Sequence, residues 1–383
     1  MSDPMGLPAS PGPKAKVREA AGMRSRWERT LSQMADLGVD ALLLSLGADL
    51  PWLTGYTAMP LERLTMLIVP LDEPATLVVP ALEAPRVVER PEFTTLAWNE
   101  TDDPVAIVSK LVGTRIHLAV SDRTWARFVL GLQAAMPGAS WQPASTVTAP
   151  LRAVKDADEV VALRDAARAA DVVAAQLMAG EISLIGRAEA EVSSDIGDRL
   201  RAEGHQQVNF AIVASGPNAA SPHHEPGARR IGAGEAVVCD FGGALDSYCS
   251  DITRTVFTGA PPAEFEELYA VLQEAQVKAV EAATAGTACE DVDGVARRAI
   301  SAAGYGEYFV HRTGHGIGLE EHEDPYLVEG NGAPLVAGNA FSIEPGIYVP
   351  GRWGARIEDI VVATDEGPES LNRADHALTV VEA

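Results

Sequence analysis

Four carboxylates and one imidazole, those of Asp240, Asp251, His315, Glu344 and Glu358, stand in short motifs spread through the last third of the chain: CDFGG, CSDIT, GHGIG, SIEPG and ARIED. Hard oxygen donors with a single nitrogen suit two adjacent divalent cations, so the fold has to bring five distant segments to one point. Four ionised carboxylates alone would repel and take up protons. Two M²⁺ ions balance them and leave water between the metals ready to ionise, which is the chemistry of a metallohydrolase. Taken singly, Asp240 or Asp251 reads equally well as a turn or cap residue; the set of five favours the metal site.

The rest of the chain is organised around that demand. Its 383 residues, 47% hydrophobic, supply more than one core. Residues 1–22 are Pro-rich and polar, lack the apolar run of a secretory signal, and read as a disordered tail. Residues 23–155 alternate helical stretches with short β-rich runs such as LTMLIVP, ATLVVP and RIHLAVS, an α/β domain. Pro150 is expected to end one element, and Asp156 with Glu159 forms a capping box that opens a long helix ending at Gly180. Residues 156–383 form the second domain. In it Asp240 and Asp251 fall on two strands of one hairpin, as do Glu344 and Glu358, so two antiparallel pairs can aim four carboxylates together.

Composition excludes several partners. With 30 Lys+Arg against 54 Asp+Glu the net charge is −24, which disfavours nucleic acid and anionic membrane. No stretch is long and apolar enough to cross a bilayer. The three cysteines, Cys239, Cys249 and Cys289, include no CxxC pair, so neither a disulfide framework nor a thiolate zinc site is indicated and a reducing, cytoplasmic compartment is expected. The glycine-rich ASGPN and GHGIG lack the lysine of a phosphate loop.

The stretches IVASGPNAASPHH, CDFGGALDSYCSDITRTVF, HRTGHGIGLEEHEDP, FSIEPGIY and GARIEDIVVAT, in this order between residues 212 and 364, resemble the creatinase/aminopeptidase family of pita-bread metallopeptidases. Within it they are most similar to the branch of Xaa-Pro dipeptidase (prolidase) and aminopeptidase P, whose extra N-terminal domain DLPWLTGY also resembles. The resemblance implies an α/β N-terminal domain followed by an α+β pita-bread catalytic domain with a curved antiparallel sheet. It makes Asp240 a ligand of one metal, Asp251 and Glu358 bridges between two, His315 the nitrogen ligand, and Glu344 a ligand that also shuttles a proton. His223 and His322 would face the substrate, with His311, Tyr248 and Arg356 in the supporting shell. The family often has Gly where this chain has Ser247, which leaves the turn conformation there open.

The implied activity is hydrolysis of short proline-containing peptides before proline, dipeptides being preferred, by a homodimer. Mn²⁺ is the first choice because oxygen ligands dominate, with Co²⁺, Fe²⁺ and Zn²⁺ left open. A free carboxylate beyond proline calls for a guanidinium. Arg63, in MPLERLT, is one candidate, although it also reads as a surface arginine paired with Glu62; Arg356 is the other. The alternatives are an aminopeptidase P acting on longer peptides, a C–S lyase or small-amide hydrolase on the same fold, or a non-catalytic binding module, the last disfavoured by the five retained ligands.

Overall fold

The computed structural model describes residues 13–381, so residues 1–12 of the expected tail lie outside it. Backbone contacts divide the chain between Leu151 and Arg152, four residues before the boundary read from the capping box. Helix α1 (Pro13–Leu37) begins ten residues before residue 23, so the second half of the segment read as tail is helical.

In the first unit α1 is followed by β1 (Ala41–Leu44), α2 (Asp49–Thr54), β2 (Met66–Pro70), β3 (Ala75–Pro80), β4 (Phe93–Trp98), α3 (Pro104–Val112), β5 (His117–Val120), α4 (Ala126–Ala135), β6 (Ser140–Pro143) and α5 (Ser145–Ala153). The strands form one mixed sheet in the order β4-β3-β2-β1-β5-β6. Leu43, Ile68, Val78 and Leu118 on its strands pack with Val108 of α3 and with Phe128 and Leu132 of α4. This is the α/β layer expected. Pro150 does not end an element; it sits inside α5.

The second unit opens on α6 (Ala157–Met178), whose Asp156 side chain accepts from Asp158 N and Glu159 N while Glu159 returns to Asp156 N, the capping box read from the sequence. Then follow α7 (Glu189–Ala202), β7 (Gln207–Ser215), β8 (Ala236–Leu245), β9 (Tyr248–Thr258), α8 (Ala263–Ala282), α9 (Cys289–Ala302), β10 (Gly314–Gly316), β11 (Glu323–Leu327), β12 (Ala340–Ile343), β13 (Gly346–Val349), β14 (Trp353–Arg356), β15 (Asp359–Thr364), β16 (Gly367–Ser370) and β17 (Thr379–Val381). Three sheets result, ordered β17-β9-β8-β7, β11-β10-β12-β15-β16 and β13-β14. Every pairing is antiparallel except β17 on β9.

Two cores fix which way the strands face. Val237, Cys239, Phe241, Ile252 and Val256 pack with α6 and α7, whereas Phe341, Ile343, Ile347, Ala355, Ile357 and Val361 pack with α8 and α9. Side chains alternate along a strand, so the residues between these point to the opposite face. Those intervening residues include Asp240, Asp251, Ser342, Glu344, Arg356 and Glu358. The apolar alternation that builds the two cores therefore turns the acidic groups away from both of them.

The β8–β9 hairpin closes through Asp246 and Ser247, between the paired Leu245 and Tyr248, with φ of 48° and 74°. Two consecutive left-handed residues make the primed turn that suits strand twist, and the chain forms it without the glycine usual in the family. A left-handed non-glycine residue costs about 1–2 kcal/mol, partly offset by the extra freedom glycine has when unfolded. Ser247→Gly should therefore stabilise the protein by about 0.5–1 kcal/mol, read as a higher urea midpoint with unchanged slope. An unchanged or lower midpoint would show that Ser247 makes up its backbone cost through its own contacts.

Candidate metal centre

Asp240 on β8 pairs with Thr253 on β9, and Asp251 pairs with Gly242, so both carboxylates lie on one face, two pairs apart. The second acidic pair sits differently from the expected hairpin positions. β12 pairs with β15 up to Ile343↔Asp359, and β13 with β14 from Gly346↔Arg356, so Glu344 and Glu358 occupy the break between two ladders. Pro345 has no N–H to carry the ladder across it. The freed backbone bonds elsewhere: Glu344 N donates to Thr313 O at 2.8 Å and Glu358 N to Thr253 O at 3.2 Å, stitching the second acidic pair to β9 and to the segment before β10.

His315, central in β10, is reached only because glycines flank it. A Cβ on Gly314 would fall 1.9 Å from Ser342 O, and one on Gly316 2.2 Å from Asp324 O. The GHG pattern is thus a close-packing requirement. His315 Nδ1 lies 3.1 Å from Gly316 O, and a carbonyl can only accept, so the proton is assigned to Nδ1 and the lone pair to Nε2. Nε2 lies 3.3 Å from Glu344 Oε1 and 3.8 Å from Asp251 Oδ2. Burial pushes the His315 pKa down to about 3, which keeps the ring neutral.

A neutral nitrogen lone pair facing two carboxylate oxygens is repulsive unless a cation lies among them. Ligand atoms of Asp251, His315 and Glu358 all fall within 4.8 Å of one another. Asp240 Oδ1 and Asp251 Oδ1 are buried without any hydrogen-bond partner. Burial, with the neighbouring carboxylates, raises Asp251 and Glu358 well above the usual range and raises Glu344 to about 7. Orphaned oxygens, a lone pair aimed inward and carboxyls forced to hold protons all fit a site built for divalent cations.

The centre forms the floor of a cavity of about 550 Å³. His223 and the exposed His322 line it, the His322 ring centroid 4.0 Å from that of His315. Phe210, Ile212 and Val328 supply an apolar wall. His311 also lines it; its Nε2 lies 2.8 Å from Tyr348 Oη, and burial, helped by the Arg356 charge, lowers its pKa to about 3. Arg356 is buried and engaged: Nη2 donates to Asp240 Oδ2 at 2.5 Å, Nη1 to Tyr348 Oη at 2.7 Å and Nε to Thr253 Oγ1 at 3.1 Å. Thr253 Oγ1 in turn donates to Glu358 Oε2 at 2.6 Å. Arg356 thus braces the acidic residues, and its three nitrogens are already held by protein acceptors.

One other expectation is corrected, and Arg63 takes the surface-pair reading that its sequence also offered. Tyr248 is not beside the carboxylates; its hydroxyl donates to Glu159 Oε1 at 2.9 Å and its ring packs with Leu163 and Ile360. The tyrosine that braces the centre is Tyr348, the last residue of GIY, three residues beyond Pro345. Arg63 belongs to the first unit, where Glu62 and Glu100 hold its guanidinium, each at 2.7 Å. Sequence reading also passed over Arg312, which lines the cavity. Its signal was a charged residue between His311 and the buried Thr313, three positions before His315.

Residues 161–365 match metallopeptidase family M24, and residues 26–154 match the creatinase/prolidase N-terminal domain. A probable dipeptidase PepE of Mycobacterium tuberculosis is 44% identical over 353 residues, 91% of this chain and 93% of that protein. Among solved structures, dipeptidase PepE from Mycobacterium ulcerans superimposes with a TM-score of 0.87 at 42% identity, covering 95% of this chain and 99% of the other. Prolidase from Thermococcus sibiricus gives 0.89 at 36% identity, covering 94% and 99%.

Proposed function

Because the chain belongs to metallopeptidase family M24, we propose that it is an Xaa-Pro dipeptidase working with two divalent cations, Mn²⁺ first among them. The observation that carries the reading is the convergence of four carboxylates and the lone pair of His315 on the floor of one cavity that also holds two substrate-side histidines and an apolar wall. Dipeptide length is supported by the relatives named dipeptidase, and proline specificity by the structural likeness to prolidase. The reading includes the cytoplasm, in keeping with three free buried cysteines, and the homodimer that the resemblance implies.

Asp240 would hold one cation, Asp251 and Glu358 both, with His315 and Glu344 completing the set. When bound, the cations supply Lewis acidity and a water of lowered pKa. The chain supplies the rest. Arg356 and Thr253 hold Asp240 and Glu358 in place, and Tyr348 ties Arg356 to His311. His223 and His322 donate to the carbonyl oxygen as it gains charge. Glu344 takes the proton of the attacking water and passes it to the proline nitrogen, a step that matters because that tertiary amide nitrogen carries no hydrogen of its own. The wall of Phe210, Ile212 and Val328 suits the proline ring.

Mn²⁺-supplemented protein assayed on paired panels should release proline from Xaa-Pro dipeptides faster than it cleaves Xaa-Pro-Xaa tripeptides. No proline release from any dipeptide would overturn the reading; faster tripeptide cleavage would make it an aminopeptidase P. Histidine variants divide the roles. His315→Ala should lose metal, whereas His223→Ala and His322→Ala should keep metal and lose about 10²-fold in kcat, the scale of a removed oxyanion donor. Near-normal kcat in both of the latter would return them to a structural part.

A further inference from the structure

The charged part of the cavity lining is mostly acidic, with Asp240, Asp251, Glu321, Glu344 and Glu358 among its residues. Two arginines interrupt it. Arg356 has its three nitrogens held by Asp240, Tyr348 and Thr253. Arg312 differs: among the described residues its guanidinium takes part in no hydrogen bond and no ion pair, although the side chain is half-buried. Its guanidinium stacks on the Tyr326 ring, 4.5 Å from the centroid. A half-buried guanidinium with open donors in a concave acidic site is a cost to the free protein, since its solvation is reduced and its fork unmatched. The stack on Tyr326 fixes its plane without occupying its N–H groups.

We propose that Arg312 is the anchor for the free C-terminal carboxylate of the substrate, and so the residue that sets the preference for two-residue peptides. The proposal rests on the dipeptidase reading above and names the group that gives it its length selection. The other guanidinium on the wall, Arg356, is already held by protein acceptors, and the fork of a guanidinium matches a carboxylate bidentately. Register supports the placing. Tyr326 pairs directly with His315 across β10 and β11, so the ring that carries the guanidinium stands beside the candidate nitrogen ligand. In an Xaa-Pro dipeptide the terminal carboxylate lies one residue beyond the scissile carbonyl, a Cα step of about 3.8 Å. An anchor next to the metal centre is what so short a substrate requires, and one more residue would carry the carboxylate past it.

The test compares an Xaa-Pro dipeptide with its C-terminal amide, which differ only in the anchored charge. Wild type should favour the acid in kcat/KM by about 10- to 100-fold, the scale of a charge-assisted contact, expressed mainly in KM. Arg312→Gln should bring the acid-to-amide ratio close to one, and Arg312→Lys, with charge but no fork, should fall between. Turnover of the amide shows that each variant is folded. Calorimetric titration of the metal-free chain with acid and amide gives the same comparison without turnover. An acid-to-amide ratio in Arg312→Gln equal to that of wild type would overturn the proposal. The parent reading fails separately, when wild type releases no proline from any dipeptide; the acid and amide of whichever dipeptide it does cleave, and the titration, then still decide the part of Arg312.

Discussion

Asp251→Asn and Glu358→Gln are each expected to strip metal from the protein and cut turnover by about 10³-fold or more. Replacing groups that only touch a metal ligand typically costs 10–100-fold in metal affinity or activity, and a shared ligand should exceed that. Both side chains are buried, at 4% and 2% exposure, and Asp251 keeps one oxygen with no protein partner, so little in the fold depends on the Asp251 carboxylate apart from the centre itself. Removing one negative charge from a crowded, buried set also relieves repulsion. The variants should therefore stay folded, with metal content by elemental analysis well below two per chain and no gain in melting temperature on adding Mn²⁺. Wild-type metal content with wild-type turnover would remove both residues from the centre.

The acidic set was legible in the sequence through the order of its short motifs, and the structure gives those motifs a packing reason. GHG needs both glycines, the proline after Glu344 breaks the ladder, and core residues at every second position force the acids to one face. The capping box at Asp156 was legible for the same reason, being a contact between residues three apart. What failed was decided by contacts across the chain. Tyr248 and Tyr348 both neighbour acidic motifs, and only the fold shows that one reaches Glu159 and the other Arg356. Arg356 looked like a free cation until Asp240, 116 positions away, was found on it. Arg312 left only its place between His311 and the buried Thr313, because its significance lies in having no protein acceptor among the described residues.

In the metal-free protein, stability is expected to fall as pH rises from 6.5 to 7.5, and bound Mn²⁺ should abolish that slope. Glu344, raised to about 7, and Asp251 and Glu358, raised well above their ordinary values, keep protons in the fold at pH values where the unfolded chain has released them. The folded state then binds more protons, so stability falls as pH rises, by about 1.4 kcal/mol per pH unit for each carboxyl still protonated. His311 and His315 act oppositely but in another window. Their pKa values, lowered to about 3, make a contribution that is present above about pH 6.5, their unfolded value, and lost as pH falls towards 3. Lowered His205 and His322 add to that opposing contribution, which is nearly complete by pH 7.5 and only partly offsets the carboxyls. Urea unfolding of chelator-treated protein at the two pH values, beside the Mn²⁺-loaded form, measures it. Asp251→Asn removes one of the protons involved and should make the metal-free slope shallower. A metal-free protein equally stable at both pH values would mean that the three carboxyls are already ionised without cations, and the repulsion on which the metal-centre reading rests would be absent.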